Sequence, residues 1–229
     1  SGSMRQKRPE VITAALVFIQ ASNPLDETFV VNFNDDVKFG LPTGQPFSAS
    51  VQQLRSALWM GDPDGRTRLY DAISAALTHL EKGQRGRKAL IVVSDGGDNY
   101  SRHNFPQTLR AVEESRATVY TVGVFDEDDP DRNPGVLEKL SSVSGGVSYL
   151  PKTLSEVPDV CRQIARDIRS RYTVGYIPPN AGQAGQRRIR VEVSSTGAGK
   201  LIARTRRVYI VPGQTVEANS KSVHSLPGP

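Results

Sequence analysis

The chain has 229 residues, with 29 Lys or Arg against 24 Asp or Glu, a formal net charge of +5 and a sequence pI near 9.4. This length allows one α/β domain with a sizeable core and a small appendage. The basic excess is mild and mostly dispersed, so composition does not favour a nucleic-acid-binding protein. Cys161 is the single cysteine, which excludes an intrachain disulfide and a cysteine-cluster metal site. No apolar run approaches the roughly 20 residues of a membrane span.

The amino-terminal part alternates between helical and extended patterns. Apolar residues at helical spacing predict an amphipathic helix over residues 5–21. A strand over 28–33, a turn and a short return strand over Val37–Phe39 predict a hairpin. A second helix is predicted over 50–60, and an apolar stripe from Leu69 to Leu80 predicts a third.

The middle of the chain repeats strand–helix units. Strands are predicted over 88–93, 118–125 and 147–150, with helices over 106–116, 134–144 and 155–172 between and after them. Such repeats are typical of α/β proteins. The predicted fold is therefore a doubly wound, mostly parallel sheet with helices on both faces.

The carboxy-terminal part has a different pattern. Extended segments over 172–177, 188–193 and 201–211 are separated by Gly-containing turns and predict a small β appendage. The last residues are polar and aperiodic, which predicts disorder. We expect an α/β domain over 1–171, a β extension over 172–212 and a disordered tail over 213–229.

One stretch combines a buried strand with chemically active residues. In KALIVVSDGGDN (residues 88–99) a continuous apolar run ends at Ser94, Asp95 and Gly96. Ligands of parallel α/β sheets bind at the carboxyl ends of the strands, which makes Asp95 the first functional candidate. A local turn role for Asp95 stays open. Asp98 is predicted to cap a turn or helix.

The first predicted helix has no strand before it, although a doubly wound sheet is built from strand, crossover and strand. We expect a further strand upstream of Ser1, with residues 1–4 forming the loop at its carboxyl end. Without that strand, exposed sheet edges would make the 229-residue chain aggregation-prone or partly unfolded. Alternatively, the residues before Met4 are a vector scar.

These residues together resemble a von Willebrand factor type A domain. That family builds a metal-ion-dependent adhesion site from Asp-x-Ser-x-Ser after the first strand, a later Thr and an Asp after the fourth strand. Ser1 and Ser3 match the two serines, Thr67 the threonine and Asp95 the last carboxylate. The first aspartate of the motif would lie two residues before Ser1. Residues 171–209 are also similar to bacterial proteins related to this family, often found in Acidobacteria, which carry a β extension and are commonly exported.

The resemblance implies a function and a ligand set. Ser1, Ser3 and Thr67 would bind Mg²⁺ (or Mn²⁺) directly, and Asp95 directly or through water. A Glu or Asp of a protein partner would complete the metal coordination. The implied function is a non-enzymatic, exported protein-binding module that binds no nucleic acid. One alternative is a scaffold of the same fold whose metal site is vestigial; another is a Rossmann-like enzyme.

Other candidates have simpler interpretations. Thr67 could be the N-cap of the third helix. The acidic run over 126–131 lacks the Gly and Glu of an EF-hand and is interpreted as a solvated loop. The histidines (His79, His103 and His224) form no metal-binding or catalytic pattern. Cys161 is predicted to be a small buried hydrophobe. Six arginines of the appendage are predicted to form a solvated strand face: Arg187, Arg188, Arg190, Arg204, Arg206 and Arg207.

Overall fold

The computed structural model describes residues 5–61, 64–125, 130–177, 183–194, 201 and 203–211. Six α-helices and seven strands follow one another along this part of the chain. In order they are α1 (Arg8–Ala21), β1 (Val31–Phe33), β2 (Val37–Phe39), α2 (Val51–Trp59), α3 (Leu69–Leu80), β3 (Ala89–Ser94), α4 (Phe105–Glu114), β4 (Thr118–Gly123), α5 (Pro134–Ser144), β5 (Ser148–Tyr149), α6 (Val157–Arg169), β6 (Gly185–Arg188) and β7 (Val208–Val211).

The central element is a parallel sheet in the order β3-β4-β5. β3 and β4 pair from Ala89–Thr118 to Ser94–Gly123, so both strands end at the same edge. β4 has five of its six residues buried, as expected for a strand covered on both faces. The predicted α/β fold class is confirmed.

Helices cover both faces of this sheet. Because successive side chains of a strand point to opposite faces, each strand packs against both helix layers. Val119 of β4 packs with α3, α4 and α5. Its neighbours Tyr120 and Val122 point to the opposite side and pack with α1 and α6. The core is therefore divided into two layers, one on each side of the sheet.

The predicted hairpin is confirmed, but it is shorter than its apolar pattern. β1 and β2 pair antiparallel, with Val31 opposite Phe39. Thr28, predicted as the start of the first strand, makes only an isolated bridge to Ser48. Nearby, Ser50 caps α2 by accepting a hydrogen bond from the Gln53 amide. The hairpin contacts α2 through the Asn32 side-chain amide, which donates to the Ala57 carbonyl at 2.8 Å. It is not joined by a ladder to β3 in the described residues.

The β extension is smaller than predicted. β6 and β7 pair antiparallel, from Gly185–Val211 to Arg188–Val208. The strand predicted over 188–193 is wrong in position, because β6 ends at Arg188 and shares only that residue with the prediction. Beyond β6, one further hydrogen bond joins the Ile189 amide to the Arg207 carbonyl. The described residues 171–177 contain no strand. Residues 213–229, predicted to be disordered, lie outside the described residues, and the domain division at 171 stays a prediction.

The prediction of a single solvated arginine face is wrong for Arg206. Its guanidinium donates to the carbonyls of Glu113 (3.1 Å) in the last turn of α4, and of Ser115 (2.7 Å) and Ala117 (3.1 Å) just beyond it. Burial lowers the pKa of Arg206, and the nearby Arg171 guanidinium adds to this effect. Carbonyls at a helix end lack helical donors, so an arginine there replaces water as their partner. Arg206 thereby fixes the extension to the α/β domain.

Candidate metal site at the carboxyl edge of the sheet

Asp95 lies immediately after β3, where the sequence placed it, and only 4% of it is exposed. Its Oδ1 accepts hydrogen bonds from the Gly97 amide (3.0 Å) and the Ser94 hydroxyl (3.4 Å). The Asp95 carbonyl accepts from the Asn133 amide at 2.8 Å. These contacts form a tight turn that fixes the orientation of the carboxylate. Asp95 therefore does have the local turn role that its sequence allowed. This role is compatible with metal binding by the same carboxylate.

Gly96 is required by this turn. Its φ of +83° lies in the left-handed region, which other residues seldom adopt. A Cβ at this position would also collide with the Asn133 backbone carbonyl. The glycine therefore allows the loop before α5 to close over the Asp95 turn.

Thr67 is buried at the same edge, with 7% exposure. Its amide donates to Asn99 Oδ1 at 2.8 Å. Its carbonyl accepts from the amides of Asn99 and Tyr100, both at 3.1 Å. The loop before α3 is thus joined through three hydrogen bonds to the loop that follows β3. The structure brings together the two loops that carry Thr67 and Asp95.

Thr67 is not the N-cap of α3. That position is occupied by Arg68, which makes no side-chain cap hydrogen bond. Asp98 provides the cap instead, because its Oδ2 accepts from the Tyr70 amide at 2.9 Å and from the Ser101 hydroxyl at 2.6 Å. The predicted capping role of Asp98 is confirmed.

A second carboxylate network lies beside this cap. Asp71 accepts hydrogen bonds from the amides of Arg102 and His103 and from His103 Nδ1, the last at 2.6 Å. Burial acts to raise the pKa of Asp71, but these hydrogen bonds outweigh it and the pKa is lowered. Asp71 thus stays ionised while it holds the loop after β3 against α3.

Cationic and aromatic side chains flank Thr67. Arg66 and Arg68 stand over the Tyr100 ring, at 3.4 and 4.5 Å from its centroid. The Arg66 amide donates to Asp35 Oδ1 at 2.9 Å, and this hydrogen bond lowers the pKa of Asp35. Sequence reasoning missed this contact, since nothing in the turn over 34–36 indicates that it meets the loop before α3.

The remaining sequence candidates are not at this edge or cannot be placed. Ser1 and Ser3 lie outside the described residues, as do residues 126–129 of the acidic run. His79 is buried against Phe29 and Phe39, and its Nε2 lies 2.7 Å from the Pro46 carbonyl. Cys161 is buried, as predicted.

Burial raises the pKa of Cys161 to about 11, so the thiol is protonated at neutral pH. Within the described part of the chain, no group of three or more His, Cys, Asp or Glu residues could hold a metal ion. Nor does any described helix have the length and apolarity to cross a membrane.

The donor set of Thr67 and Asp95 fits a hard divalent cation. Mg²⁺ prefers oxygen ligands in octahedral geometry and keeps several waters, so it is commonly held by few protein carboxylates. Asp95 supplies a buried, fixed carboxylate, and Thr67 supplies a hydroxyl on a loop that is hydrogen-bonded to the same turn region. With hydroxyls as the other ligands, little of the metal charge would be neutralised by the protein.

Comparisons with known proteins agree with the fold. The family model described as von Willebrand factor type A domain matches residues 1–163. The solved structure of von Willebrand factor type A from Catenulispora acidiphila is similar, with a TM-score of 0.64 at 19% identity, over 73% of this chain and 40% of that one. Comparison with curated proteins finds no match.

Two further solved structures share the fold. The pilus adhesin SpaC from Lactobacillus rhamnosus GG has a TM-score of 0.58 at 15% identity, over 73% of this chain and 28% of that one. Proximal thread matrix protein 1 from the mussel byssus, with a zinc-occupied MIDAS motif, has a TM-score of 0.56 at 15% identity, over 74% and 45%. At these identities the likeness shows the fold, and the chain spans less than half the length of each of these three proteins.

Proposed function

Because the chain belongs to the von Willebrand factor type A domain family, we propose that it is a non-enzymatic protein-binding module. It uses a divalent metal at the carboxyl edge of the sheet to bind an acidic residue of a partner protein. The observation that carries this proposal is the buried pair of loops that present Thr67 and Asp95, joined through Asn99.

The proposed ligands make different contributions to metal binding. Asp95 contributes the negative charge, and its orientation is fixed by the Gly97 amide. Thr67 contributes a neutral hydroxyl, as do Ser1 and Ser3 in this proposal. The bound Mg²⁺ or Mn²⁺ would act as an electrophile whose remaining position takes a carboxylate oxygen. Neutral ligands favour this exchange, because an incoming Glu or Asp then meets an incompletely neutralised cation.

Calorimetric titration with Mg²⁺ or Mn²⁺ tests the proposal. The titrated protein is the chain extended at its amino end by an apolar strand whose Asp stands two residues before Ser1. We expect a heat of binding that Asp95→Ala abolishes, because this change removes a charged ligand. The matched control is Asp159→Ala, which removes an exposed carboxylate that pairs with Arg162 on α6.

Two results would contradict the metal proposal. The first is the absence of binding heat in the extended protein, and the second is unchanged binding after Asp95→Ala. Partner capture that persists in EDTA would favour the alternative of a scaffold with a vestigial metal site.

We also propose that the natural protein is exported. Its family resemblance and the shared fold with a pilus adhesin support this proposal, since adhesion takes place outside the cytoplasm. Fractionation of the native host, followed by detection with an antibody raised against the chain, tests it. Recovery of the protein in the cytoplasmic fraction alone would contradict export.

A further inference from the structure

The β extension carries most of the exposed apolar surface of the described residues. Of the fourteen large apolar or aromatic side chains exposed there, eight lie between residues 172 and 210. Four of these belong to one short segment: Tyr172 (95% exposed), Val174 (82%), Tyr176 (56%) and Ile177 (91%). Single exposed apolar residues are normal on a protein surface, but a cluster of them indicates an interaction site.

The same part of the chain is strongly basic. Residues 171–212 contain seven arginines and one lysine, and Glu192 is their single acidic residue. Glu192 pairs with Arg190 at 2.7 Å, whereas Arg188 and Arg207 are exposed. The extension therefore presents positive charge and apolar surface together.

Strand pairing places arginine and tyrosine on one face of the extension. Arg187 lies opposite Tyr209 in the β6–β7 ladder, and residues directly opposite share a face. Arg207 precedes Tyr209 by two residues and has the same orientation. Tyr176 contacts this face, because its hydroxyl donates to the Tyr209 hydroxyl at 2.9 Å and the two rings meet edge to face. We call these four residues the arginine–tyrosine face.

The extension is docked at the edge of the sheet that lies opposite the proposed metal site. Arg171 donates to Thr118 Oγ1, in the first residue of β4, and to the Gly145 carbonyl. A Cβ on Gly145 would collide with the backbone of Thr205, so the chain packs directly on this turn. Asp95 instead follows the carboxyl end of β3. An occupant of the extension would therefore lie away from the metal edge.

We propose that the β extension binds an anionic lipid surface through the arginine–tyrosine face and the adjoining residues 172–177. The arginines bind lipid phosphates by charge-assisted hydrogen bonds. The tyrosine rings lie at the interface, where one end of the ring is apolar and the other is hydrated. Val174 and Ile177 insert at the boundary between headgroups and acyl chains. A bilayer thus provides a partner for both the positive charge and the apolar surface.

Charge and side-chain type favour this occupant over two others. A second copy of the chain would place its own seven arginines against those of the first, and like charges across an interface are unfavourable. A nucleic acid would neutralise the arginines, but its bases stack on aromatic rings. Val174 and Ile177 would then stay exposed to water. An anionic bilayer accommodates the aliphatic side chains as well.

Vesicle flotation of the 229-residue chain in EDTA tests the proposal, since aggregated protein sediments while vesicle-bound protein floats. The vesicles contain phosphatidylglycerol and phosphatidylcholine in equal parts, or phosphatidylcholine alone. We expect at least about tenfold tighter binding to the anionic vesicles, because each basic residue near such a surface contributes about fivefold. Raising the salt concentration to about 1 M shortens the screening length from about 8 to about 3 Å and should release most of the bound protein.

Two double variants separate the charged and apolar contributions. Arg187→Gln combined with Arg207→Gln should weaken binding about thirtyfold. Val174→Ser combined with Ile177→Ser should weaken it at least about tenfold, because less apolar area is buried in the interface. The two aliphatic residues are exposed, so their replacement should leave the fold intact, which circular dichroism checks.

A matched control removes one arginine and one apolar side chain elsewhere. Arg55→Gln combined with Met60→Ser changes two exposed residues, on α2 and immediately after it. This variant should bind anionic vesicles like the parent protein. An equal loss in the control and in the extension variants would show attraction by overall charge and overturn the inference.

Several further results would overturn the proposal. They are absence of binding to anionic vesicles, equal binding to both vesicle types, and unchanged binding after either double variant of the extension. A dimer that Ile177→Ser dissociates would identify a second copy as the occupant. Binding to a DNA oligonucleotide that is tighter than vesicle binding and survives Val174→Ser and Ile177→Ser would identify a nucleic-acid site. Because EDTA is present throughout, failure of the metal proposal leaves the outcome of this test unchanged.

Discussion

The side chain of Asn99 provides the sharpest test of how the site is built. Its Oδ1 accepts the hydrogen bond from the buried Thr67 amide at 2.8 Å, and its Nδ2 lies 3.5 Å from Asp131 Oδ2. Asn99→Ala removes both interactions but leaves Thr67 and Asp95 in place. The variant therefore tests whether metal binding depends on the position of Thr67 and Asp95, because both proposed ligands are still present.

The expected cost follows from the Thr67 amide. A buried donor that loses its acceptor costs about 1–3 kcal/mol. Asn99 itself is exposed, so water can replace part of the lost bond, and we expect a loss of about 1–2 kcal/mol in the free energy of unfolding. Residues that orient metal ligands typically contribute about 10–100-fold to metal affinity, and we expect a decrease in this range.

Urea unfolding in EDTA measures the stability loss, and calorimetry on the amino-extended protein measures the affinity for Mn²⁺. Asn104→Ala is the matched control, since Asn104 caps α4 through the Gln107 amide. Loss of that cap costs about 1 kcal/mol without touching the Thr67 loop. Equal metal affinities of the two variants would refute the reasoning, as would a stability loss from Asn99→Ala below about 0.5 kcal/mol.

Three further predictions concern stability, each measured by urea unfolding. Arg206→Met should cost about 2–3 kcal/mol because it leaves the carbonyls at the end of α4 without their charged donor, whereas Arg207→Met at an exposed position should be nearly neutral; equal effects would contradict docking through Arg206. Gly96→Ala should cost more than about 1–2 kcal/mol, since a left-handed φ is combined with a backbone collision, and Gly86→Ala, which meets no atom within 4 Å, is its control. Asp71→Asn should cost about 1–3 kcal/mol at pH 7. Hydrogen bonds hold the pKa of Asp71 below 3.8, so this contribution is present above that pH and disappears as the pH falls through the lowered pKa. If the free energies of unfolding of Asp71→Asn and the parent protein differ by the same amount at every pH, this prediction is contradicted.

Local sequence signals predicted the helices and the parallel strands well. α5 begins and ends at the predicted residues, Pro134 and Ser144, because Pro at the first turn and Gly145 after the last are strong boundary signals. β3 was recognisable from a continuous apolar run, and β4 lies within the strand predicted over 118–125. Asp95 could be singled out because such a run ended at a carboxylate followed by glycine.

Contacts between distant segments could not be predicted in this way. Asn99 lies within the stretch that drew attention to Asp95, but its hydrogen bond to Thr67 spans 32 residues and depends on how two loops meet. Arg206 lies in an arginine-rich extended segment that was predicted to be a solvated strand face, and its partners at the end of α4 lie about 90 residues earlier. Periodicity reports which face a residue occupies and not which element covers that face.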